Sequence, residues 1–226
     1  MIQHVRLSVA SVAQCAAEVL QTDLQWLSES EHGRLALITA STRRSQFLAV
    51  RWLLRRALSL YTGKSDSFWA LGATAAGAPV LLSHPDIHLS LSHSADWAAC
   101  AVSDAAVGVD IEAPERLRDT RRLASAVYSE AELRSAEGLG PISAEQQFYR
   151  IWTLKEAWLK SHGEVLDLAR LPAVHTCAAP EGEANARVWQ SAGANLALVA
   201  DPKAVLHSDG WADAAVSYWH VGSAAH

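Results

Sequence analysis

Residues 87–112 read IHLSLSHSADWAACAVSDAAVGVDIE, and this stretch decides the fold class. It contains three runs that are rich in apolar residues, at 87–92, 97–103 and 106–112. Short polar segments at 93–96 and 104–105 separate these runs, which is typical of strands joined by tight turns. We therefore expect a three-stranded meander in the middle of the chain.

A long amphipathic helix is predicted before this stretch. Residues 41–61 read STRRSQFLAVRWLLRRALSLY, and their apolar positions recur with helical spacing. The predicted apolar stripe consists of Phe47, Val50, Leu54, Leu58 and Tyr61, with Arg44, Arg51 and Arg55 on another side.

Two capping boxes predict helices after the meander. Ser129 is followed by Glu132, and Ser143 is followed by Gln146, so each pair has the spacing of a helix start. Gly163 should end the second and longer helix. Alternating apolar residues at 188–199 and 214–221 then favour strands, and the whole pattern indicates a mixed α+β chain.

Bulk composition excludes several classes of protein. Half of the 226 residues are apolar, 19% are charged and the net charge is −5, which is a globular composition and lacks the basic balance of a nucleic-acid-binding domain. No run approaches the ~18 apolar residues of a membrane span. Cys15, Cys100 and Cys177 are far apart, so we expect reduced, buried thiols in a cytoplasmic protein.

A pair of carboxylates, Asp110 and Glu112, ends the third apolar run. Side chains two residues apart on a strand leave the same face, while Val109 and Ile111 face the other way into a core. Neighbouring like charges are unfavourable unless water or a cation compensates them. The pair alone therefore fits either a solvated strand end or a metal site.

A third carboxylate, Glu156, lies in the predicted long helix. Trp152, Glu156 and Lys160 follow one another at intervals of four, so they share one helix face. A glutamate and a lysine at this spacing are often a surface ion pair, but the surrounding tryptophans and leucines favour a largely buried helix. Three carboxylates would suit Mg²⁺, which prefers oxygen ligands, and Lys160 would then be placed to hold a phosphate.

The tripeptide Ser92-His93-Ser94 ends the first run of the meander. A single histidine after a strand is more often a turn or core residue than a ligand. Two flanking hydroxyl groups beside a turn also make an anion-binding corner a reasonable interpretation.

The motifs LSLSHSADWAACAVS, VGVDIE and WTLKEAWLK, in this order and spacing, resemble the 4′-phosphopantetheinyl transferases, specifically the larger surfactin-type branch. AVYSEAEL between the second and third motifs and the arginine-rich segment around 31–55 also resemble that family. The resemblance covers roughly residues 28–163. It implies transfer of the 4′-phosphopantetheine group of coenzyme A to a serine of an apo acyl or peptidyl carrier protein, with release of adenosine 3′,5′-bisphosphate.

The resemblance also implies a role for each motif residue. Asp110, Glu112 and Glu156 would bind Mg²⁺, and Glu156 or a water that it orients would accept the serine proton. The expected contacts of coenzyme A are Ser92, His93 and Lys160 for its phosphates and Arg44 and Arg51 for its 3′-phosphate or adenine.

The fold implied by the family consists of two similar α/β halves related by a pseudo-twofold axis, with the active site in the cleft between them. In this chain the halves would be 1–105, on the coenzyme A phosphate and adenine side, and 106–226, with the metal site and catalytic helix. We expect a cytoplasmic monomer whose partners are coenzyme A and a carrier protein, with no nucleic acid and no membrane.

Two features leave alternatives open. The family often has a basic residue between the glycine and proline that correspond to Gly77 and Pro79, whereas this chain has Ala78. Either an arginine from 34–56 replaces that charge or coenzyme A is held less tightly. The alternative functions are a Mg²⁺-dependent transferase or hydrolase of another diphosphate and a non-catalytic carrier-binding module. A carrier protein would meet the basic cluster Arg116, Arg118, Arg121 and Arg122.

Overall fold

Strands and helices are mixed along the whole chain, as the sequence predicted. The computed structural model describes residues 2–65, 69–74, 77–114, 118–211 and 213–223. The strands are β1 (His4–Ser11), β2 (Leu71–Ala73), β3 (Pro79–Leu81), β4 (His88–Ser94), β5 (Trp97–Ser103), β6 (Gly108–Glu112), β7 (Val174–Ala178), β8 (Ala186–Ser191), β9 (Ala194–Val199), β10 (Val205–Asp209) and β11 (Ala215–Ser223). The helices are α1 (Val12–Val19), α2 (Glu29–Ala36), α3 (Ser41–Thr62), α4 (Thr120–Val127), α5 (Glu130–Ala136) and α6 (Pro141–Ser161), with a 3₁₀ turn at Leu171–Ala173.

Two main sheets form within the described part of the chain. The first has the strand order β10-β1-β5-β4, and the second has the order β6-β9-β8-β11-β7. β1 and β10 run parallel, and the other neighbours in both sheets are antiparallel. β2 and β3 form a separate hairpin. Strand β10 therefore brings a late segment of the chain into the sheet of the early strands.

The expected meander is correct for two of its three strands. β4 and β5 form an antiparallel hairpin, with Ser94 opposite Trp97 at the turn. β6 instead pairs with β9, placing Gly108 opposite Val199, so the prediction that it continues the meander is wrong. The buried side chains of Val109 and Ile111 pack in one cluster with Leu196 and Leu198. This long-range apolar contact places β6 in the second sheet.

Each main sheet is packed against one long helix. α3 covers β5 of the first sheet and buries Leu54, Ala57 and Leu58, and Gly63 ends it with a positive φ of 73°. α6 covers β6 and β9 of the second sheet and buries Phe148, Ile151, Leu154 and Leu159. The sequence therefore predicted both helices close to their observed bounds.

Only one of the two capping boxes is observed. The Ser129 amide donates to Glu132 Oε2 at 2.7 Å and the Glu132 amide donates to Ser129 Oγ at 3.4 Å, so the box that starts α5 is confirmed. The box at Ser143 is wrong, because α6 begins at Pro141 with Gly140 as its N-cap. Proline suits the first turn of a helix, where its missing N–H has no helical partner.

The arginines of α3 are more buried than an amphipathic helix predicts. Arg55 is 1% exposed and forms an ion pair with Glu31 of α2, which Arg51 also contacts through Nε at 3.3 Å. One carboxylate thus receives two guanidinium groups, and helix α2 lies against the side of α3 that carries Arg51 and Arg55.

The structure also bears on the expectations for the three cysteines and for membrane-spanning segments. Cys15 and Cys100 are buried, but Cys177 on strand β7 is exposed, so the prediction that all three thiols are buried is wrong. Among the described helices, none combines the length and the apolar character needed to cross a bilayer.

Candidate active site

One face of strand β6 points at helix α6 and carries the two carboxylates. Gly108, Asp110 and Glu112 alternate along the strand and share this face. A Cβ added at Gly108 would lie 1.8 Å from the carbonyl oxygen of Ala157. Only glycine therefore allows α6 to lie this close to β6, and this close approach brings the residues of α6 to Asp110 and Glu112.

The facing side of α6 carries Trp152, Glu156 and Lys160, as their spacing predicted. Lys160 Nζ lies 2.6 Å from Asp110 Oδ1 at one end, and Trp152 Nε1 donates to Glu112 Oε1 at 3.2 Å at the other. Glu156 lies between these two residues on the helix and interacts electrostatically with both strand carboxylates. The structure therefore places the three predicted carboxylates and Lys160 on the facing sides of β6 and α6.

Two serine hydroxyl groups of strand β4 also bind the carboxylates of Asp110 and Glu112. Ser92 Oγ donates to Asp110 Oδ1 at 2.8 Å, and Ser94 Oγ donates to Glu112 Oε2 at 3.2 Å. Asp110 is 2% exposed, and its second oxygen, Oδ2, is buried without a hydrogen-bond partner among the described residues. A buried carboxylate oxygen without a partner is costly, so a ligand for it is expected.

Burial and mutual repulsion change the acid strength of the cluster. Burial, followed by the charges of Asp110 and Glu112, raises the pKa of Glu156 to about 8, although Lys160 and Trp152 act in the opposite direction. Burial and then the charge of Asp110 also raise the pKa of Glu112. The three carboxylates therefore repel one another, and Lys160 supplies the positive charge that acts on Glu156.

A cavity of about 460 Å³ opens beside this cluster, between the two long helices and strand β4. Glu156 and Lys160 form part of its wall together with Ser92 and His93. The apolar part of the wall includes Phe47, Leu91, Val165 and Leu166. Asp110 lies one contact deeper, behind Ser92 and Lys160, so the cavity gives a ligand access to the edge of the carboxylate cluster.

The opposite side of the cavity is positively charged. Arg34, Arg43 and Arg51 line it, and the segment Gly77-Ala78-Pro79 forms a neutral part of the wall. Partial burial, followed by the positive charges of Lys160, Arg43 and Arg51, lowers the pKa of His93. Burial is the largest cause of this lowering, and the neighbouring positive charges of Lys160, Arg43 and Arg51 add to it. These positive charges are the ones that an anionic ligand in the cavity would meet.

Arg44 does not join the other predicted residues at the cavity. Its guanidinium group donates to the backbone oxygens of Leu35 at 2.7 Å and Ile38 at 3.3 Å, where it supports the end of helix α2. Arg43 lines the cavity instead, and the sequence carried a signal for it. Arg43, Phe47 and Arg51 are four residues apart and share one helix face. Arg34 and Arg43 belong to the 34–56 range expected to supply a replacement charge, but neither was among the named contacts of coenzyme A.

The chemistry of the cluster fits a hard divalent cation. Its donors are carboxylate oxygens that repel one another, and Asp110 Oδ2 has no hydrogen-bond partner in the part of the chain that the structure describes. Within the described residues, no three His, Cys, Asp or Glu side chains converge as a metal site. Mg²⁺ seldom needs such a cage, since it binds one or two carboxylates and keeps waters or substrate phosphates as its other ligands.

Comparison with known proteins agrees with the site. A family model described as the 4'-phosphopantetheinyl transferase superfamily matches residues 106–215. A 4'-phosphopantetheinyl transferase of Bacillus subtilis is 30% identical over 116 residues, which are 51% of this chain and 51% of that protein. The 4'-phosphopantetheinyl transferase AcpT of Salmonella typhimurium is 38% identical over 57% of this chain and 64% of its own length.

A third relative is similar over most of the chain. The 4'-phosphopantetheinyl transferase HetI of Nostoc is 28% identical over 202 residues, covering 86% of this chain and 83% of that protein. The chain spans about half to two thirds of the length of the first two relatives. Residues 106–215, which contain Asp110, Glu112, Glu156 and Lys160, match the 4′-phosphopantetheinyl transferase superfamily.

Proposed function

We propose that this chain transfers the 4′-phosphopantetheine group of coenzyme A to a serine of an apo acyl or peptidyl carrier protein. The second product is adenosine 3′,5′-bisphosphate. The observation that carries the proposal is the placement of Glu156 and Lys160 in the wall of a cavity whose other side is lined by arginines. A ligand with several phosphates and a reactive phosphorus fits such a cavity, because its charge meets the arginines while its reacting end meets the carboxylate cluster.

Asp110, Glu112 and Glu156 would hold Mg²⁺ in this proposal. The cation would supply positive charge to the pyrophosphate of coenzyme A, which is the usual contribution of Mg²⁺ to phosphoryl transfer. The unpartnered Asp110 Oδ2 and the raised pKa of Glu156 support this assignment.

Glu156 is the proposed proton acceptor. The serine hydroxyl forms the new oxygen–phosphorus bond, its proton moves to a carboxylate oxygen of Glu156, and the bond from phosphorus to the leaving bisphosphate breaks. A general base works best when its pKa is near the working pH. Burial raises the pKa of Glu156 to about 8 in the metal-free chain, and a bound cation would lower it from there. A water molecule oriented by Glu156 is the alternative acceptor.

Lys160 and the arginines bind phosphate groups in this proposal. Lys160 is 29% exposed and has two further N–H donors besides the one directed at Asp110, so it can reach a pyrophosphate oxygen from the cavity wall. Arg51 and His93 remain proposed contacts of coenzyme A, and Arg43 takes the place first assigned to Arg44. Ser92 leaves the set of proposed contacts, because its hydroxyl group binds Asp110 and the amide of Ile111. Arg34 and Arg43 would also compensate for the neutral Ala78.

The arrangement of two similar halves is part of the proposal. The halves 1–105 and 106–226 each contain one long helix on one main sheet, and β4 and β6 adjoin where the sheets meet. Strand β10 is an exception, because it follows residue 106 in sequence yet pairs with β1. The pseudo-twofold relation would place the active site between α3 and α6.

The test is the mass of a carrier protein after reaction. Apo carrier proteins of the fatty-acid, polyketide and peptide types are incubated with the chain, coenzyme A and Mg²⁺, and each is then measured by intact-protein mass spectrometry. We expect at least one carrier to gain one phosphopantetheine group, and Asp110→Asn to abolish the gain. Cleavage of coenzyme A with every carrier unmodified indicates a diphosphate hydrolase, and carrier binding without reaction indicates a binding module.

A further inference from the structure

Three serines at alternate positions of β4 connect the two main sheets. The backbone N–H groups of Val109, Ile111 and Ala113 donate to the hydroxyl oxygens of Ser90 at 2.9 Å, Ser92 at 3.2 Å and Ser94 at 3.1 Å, respectively. β4 pairs with β5 through its backbone, and β6 pairs with β9. The serine hydroxyl groups therefore accept hydrogen bonds from backbone amides across the junction, as backbone carbonyl groups do within a sheet.

A serine hydroxyl can accept one hydrogen bond and donate another. Ser92 donates to Asp110 and Ser94 donates to Glu112. Each of these serines thus binds a carboxylate of β6 and the backbone amide of the residue that follows it, Ile111 or Ala113. Ser90 binds the amide of Val109. The residue before Val109 is Gly108, which has no side chain for Ser90 to bind.

The hydrogen bonds from Ser92 and Ser94 leave particular carboxylate oxygens of Asp110 and Glu112 available to a cation. Ser92 and Lys160 both bind Oδ1 of Asp110, and the buried Oδ2 has no partner among the residues that the structure describes. Glu112 receives Ser94 on one oxygen and Trp152 on the other, and each of these oxygens keeps a second lone pair. The rotation of both carboxylates is thereby restricted while part of each remains able to bind a cation.

We propose that Ser92 and Ser94 are positioning residues that orient Asp110 and Glu112 toward a divalent cation. The proposal rests on the proposed function, because it concerns the same cation. Outer groups that orient metal ligands commonly contribute about 10- to 100-fold to metal affinity. Within the Ser92-His93-Ser94 tripeptide, the serines face β6, and His93 alternates to the other side. His93 is therefore the member of the tripeptide that remains free to contact a ligand in the cavity.

The experiment compares serines that bind a carboxylate with one that does not. Ser92→Ala and Ser94→Ala each remove a bond to an amide and a bond to a carboxylate, whereas the control Ser90→Ala removes the amide bond alone. Ser90 and Ser92 are similarly buried, at 3% and 8% exposure, so they are matched in packing. Ser94→Thr restores a hydroxyl group at the half-buried position and fits a strand.

Three properties are measured for each variant. Thermal unfolding in EDTA reports the loss of the junction, binding of MnCl₂ followed by electron paramagnetic resonance reports the cation site, and calorimetry in EDTA reports coenzyme A affinity. We expect all three alanine variants to lose thermal stability. Only Ser92→Ala and Ser94→Ala should bind Mn²⁺ about 10-fold more weakly, Ser94→Thr should recover the affinity, and coenzyme A affinity in EDTA should not change.

Each contrary outcome has a separate meaning. If Ser90→Ala weakens Mn²⁺ binding as much as the other two, the serines only join the sheets and the inference is wrong. If Ser92→Ala weakens coenzyme A binding in EDTA, Ser92 contacts the ligand directly and the inference is wrong for that residue. A wild-type chain that binds no Mn²⁺ contradicts the proposed metal role itself, and the inference fails with it.

Discussion

Lys160 Nζ lies 2.6 Å from Asp110 Oδ1, so a single ion pair connects helix α6 to strand β6 at the edge of the cavity. Lys160 is partly exposed at 29%, whereas Asp110 is 3% exposed in its side chain. The ammonium group therefore covers the buried carboxylate on the side where a ligand would enter. Every residue that holds α6 against β6 consequently affects the geometry of the site.

Gly108 is the first such residue. In Gly108→Ala the new methyl group would meet the backbone of Ala157, so α6 must move away from β6. We expect the free energy of unfolding to fall by roughly 1–3 kcal/mol, as for overpacked cores, and activity to fall with it. Urea unfolding measures the change.

Gly33→Ala is the matched control, because Gly33 lies in helix α2 with nothing within 4 Å of the added carbon. The stability of this variant should equal or exceed that of wild type. Equal stability of wild type and Gly108→Ala would contradict the required close approach.

Lys155 holds α6 from its other side. It is fully buried, and its ammonium group contacts Glu132 at 2.7 Å and the backbone oxygens of Val127 and Leu171 at 2.6 and 2.9 Å. Lys155→Met leaves the Glu132 carboxylate buried without its counter-charge, so we expect a loss of about 3–5 kcal/mol in urea unfolding.

The control for Lys155 is an exposed ion pair. Arg134 lies 3.7 Å from Glu130, and both side chains are more than half exposed. Arg134→Met should change stability by less than about 0.5 kcal/mol. Comparable losses in the two variants would show that burial of the Lys155–Glu132 pair has no special effect.

The stability of the metal-free protein should depend on pH through Glu156. Its pKa is raised from 4.5 to about 8 in the folded chain, so the folded state binds more protons than the unfolded state between these values. The free energy of unfolding in EDTA should therefore decrease as the pH rises from about 4.5 to about 8.

Glu156→Gln has no carboxyl group to titrate, so its free energy of unfolding should exceed that of wild type by a margin that grows over this range. Added Mg²⁺ should reduce the margin, since the cation favours the charged carboxylate. A margin independent of pH would contradict the raised pKa.

The exposed arginines after β6 form the predicted carrier surface. Arg118 interacts with the carboxylate of Glu112, and Arg121 lines a groove formed by α4, α5 and the start of α6, whereas Arg116 lies outside the described residues. If an acidic carrier binds here, Arg121→Glu should raise its KM roughly 2- to 5-fold at low salt and flatten the salt dependence. Lys203→Glu makes the same charge change on an exposed residue elsewhere and should leave KM unchanged. An equal effect of both variants would indicate only a general dependence on net charge.

Local sequence patterns predicted the parts of the site that depend on local periodicity. The shared face of Asp110 and Glu112 follows from the two-residue period of a strand, and that of Trp152, Glu156 and Lys160 follows from helical spacing. The spatial meeting of these two faces was expected from the family resemblance. Local periodicity gave no indication of it, because Gly108 permits it through a contact with Ala157, about fifty residues away.

The misplaced features depend on partners that are distant in sequence. β6 is not part of the expected meander, because it pairs with β9, nearly ninety residues later in sequence, and its apolar residues pack with those of β9. Arg55 is buried because Glu31 of α2 provides its counter-charge, and Arg44 is occupied by backbone oxygens at the end of the same helix. Helical spacing places Arg43, Arg51 and Arg55 on one face of α3, so it groups Arg43 with Arg51 but does not separate it from the buried Arg55.

Release of adenosine 3′,5′-bisphosphate from coenzyme A, measured together with modification of the carrier, tests the central claim most directly. The reaction contains the chain, Mg²⁺, coenzyme A and either an apo carrier protein or the same carrier with its acceptor serine changed to alanine. We predict one molecule of bisphosphate released for each carrier modified, and no release with the alanine carrier. Bisphosphate release that continues unchanged with the alanine carrier would contradict transfer to a serine.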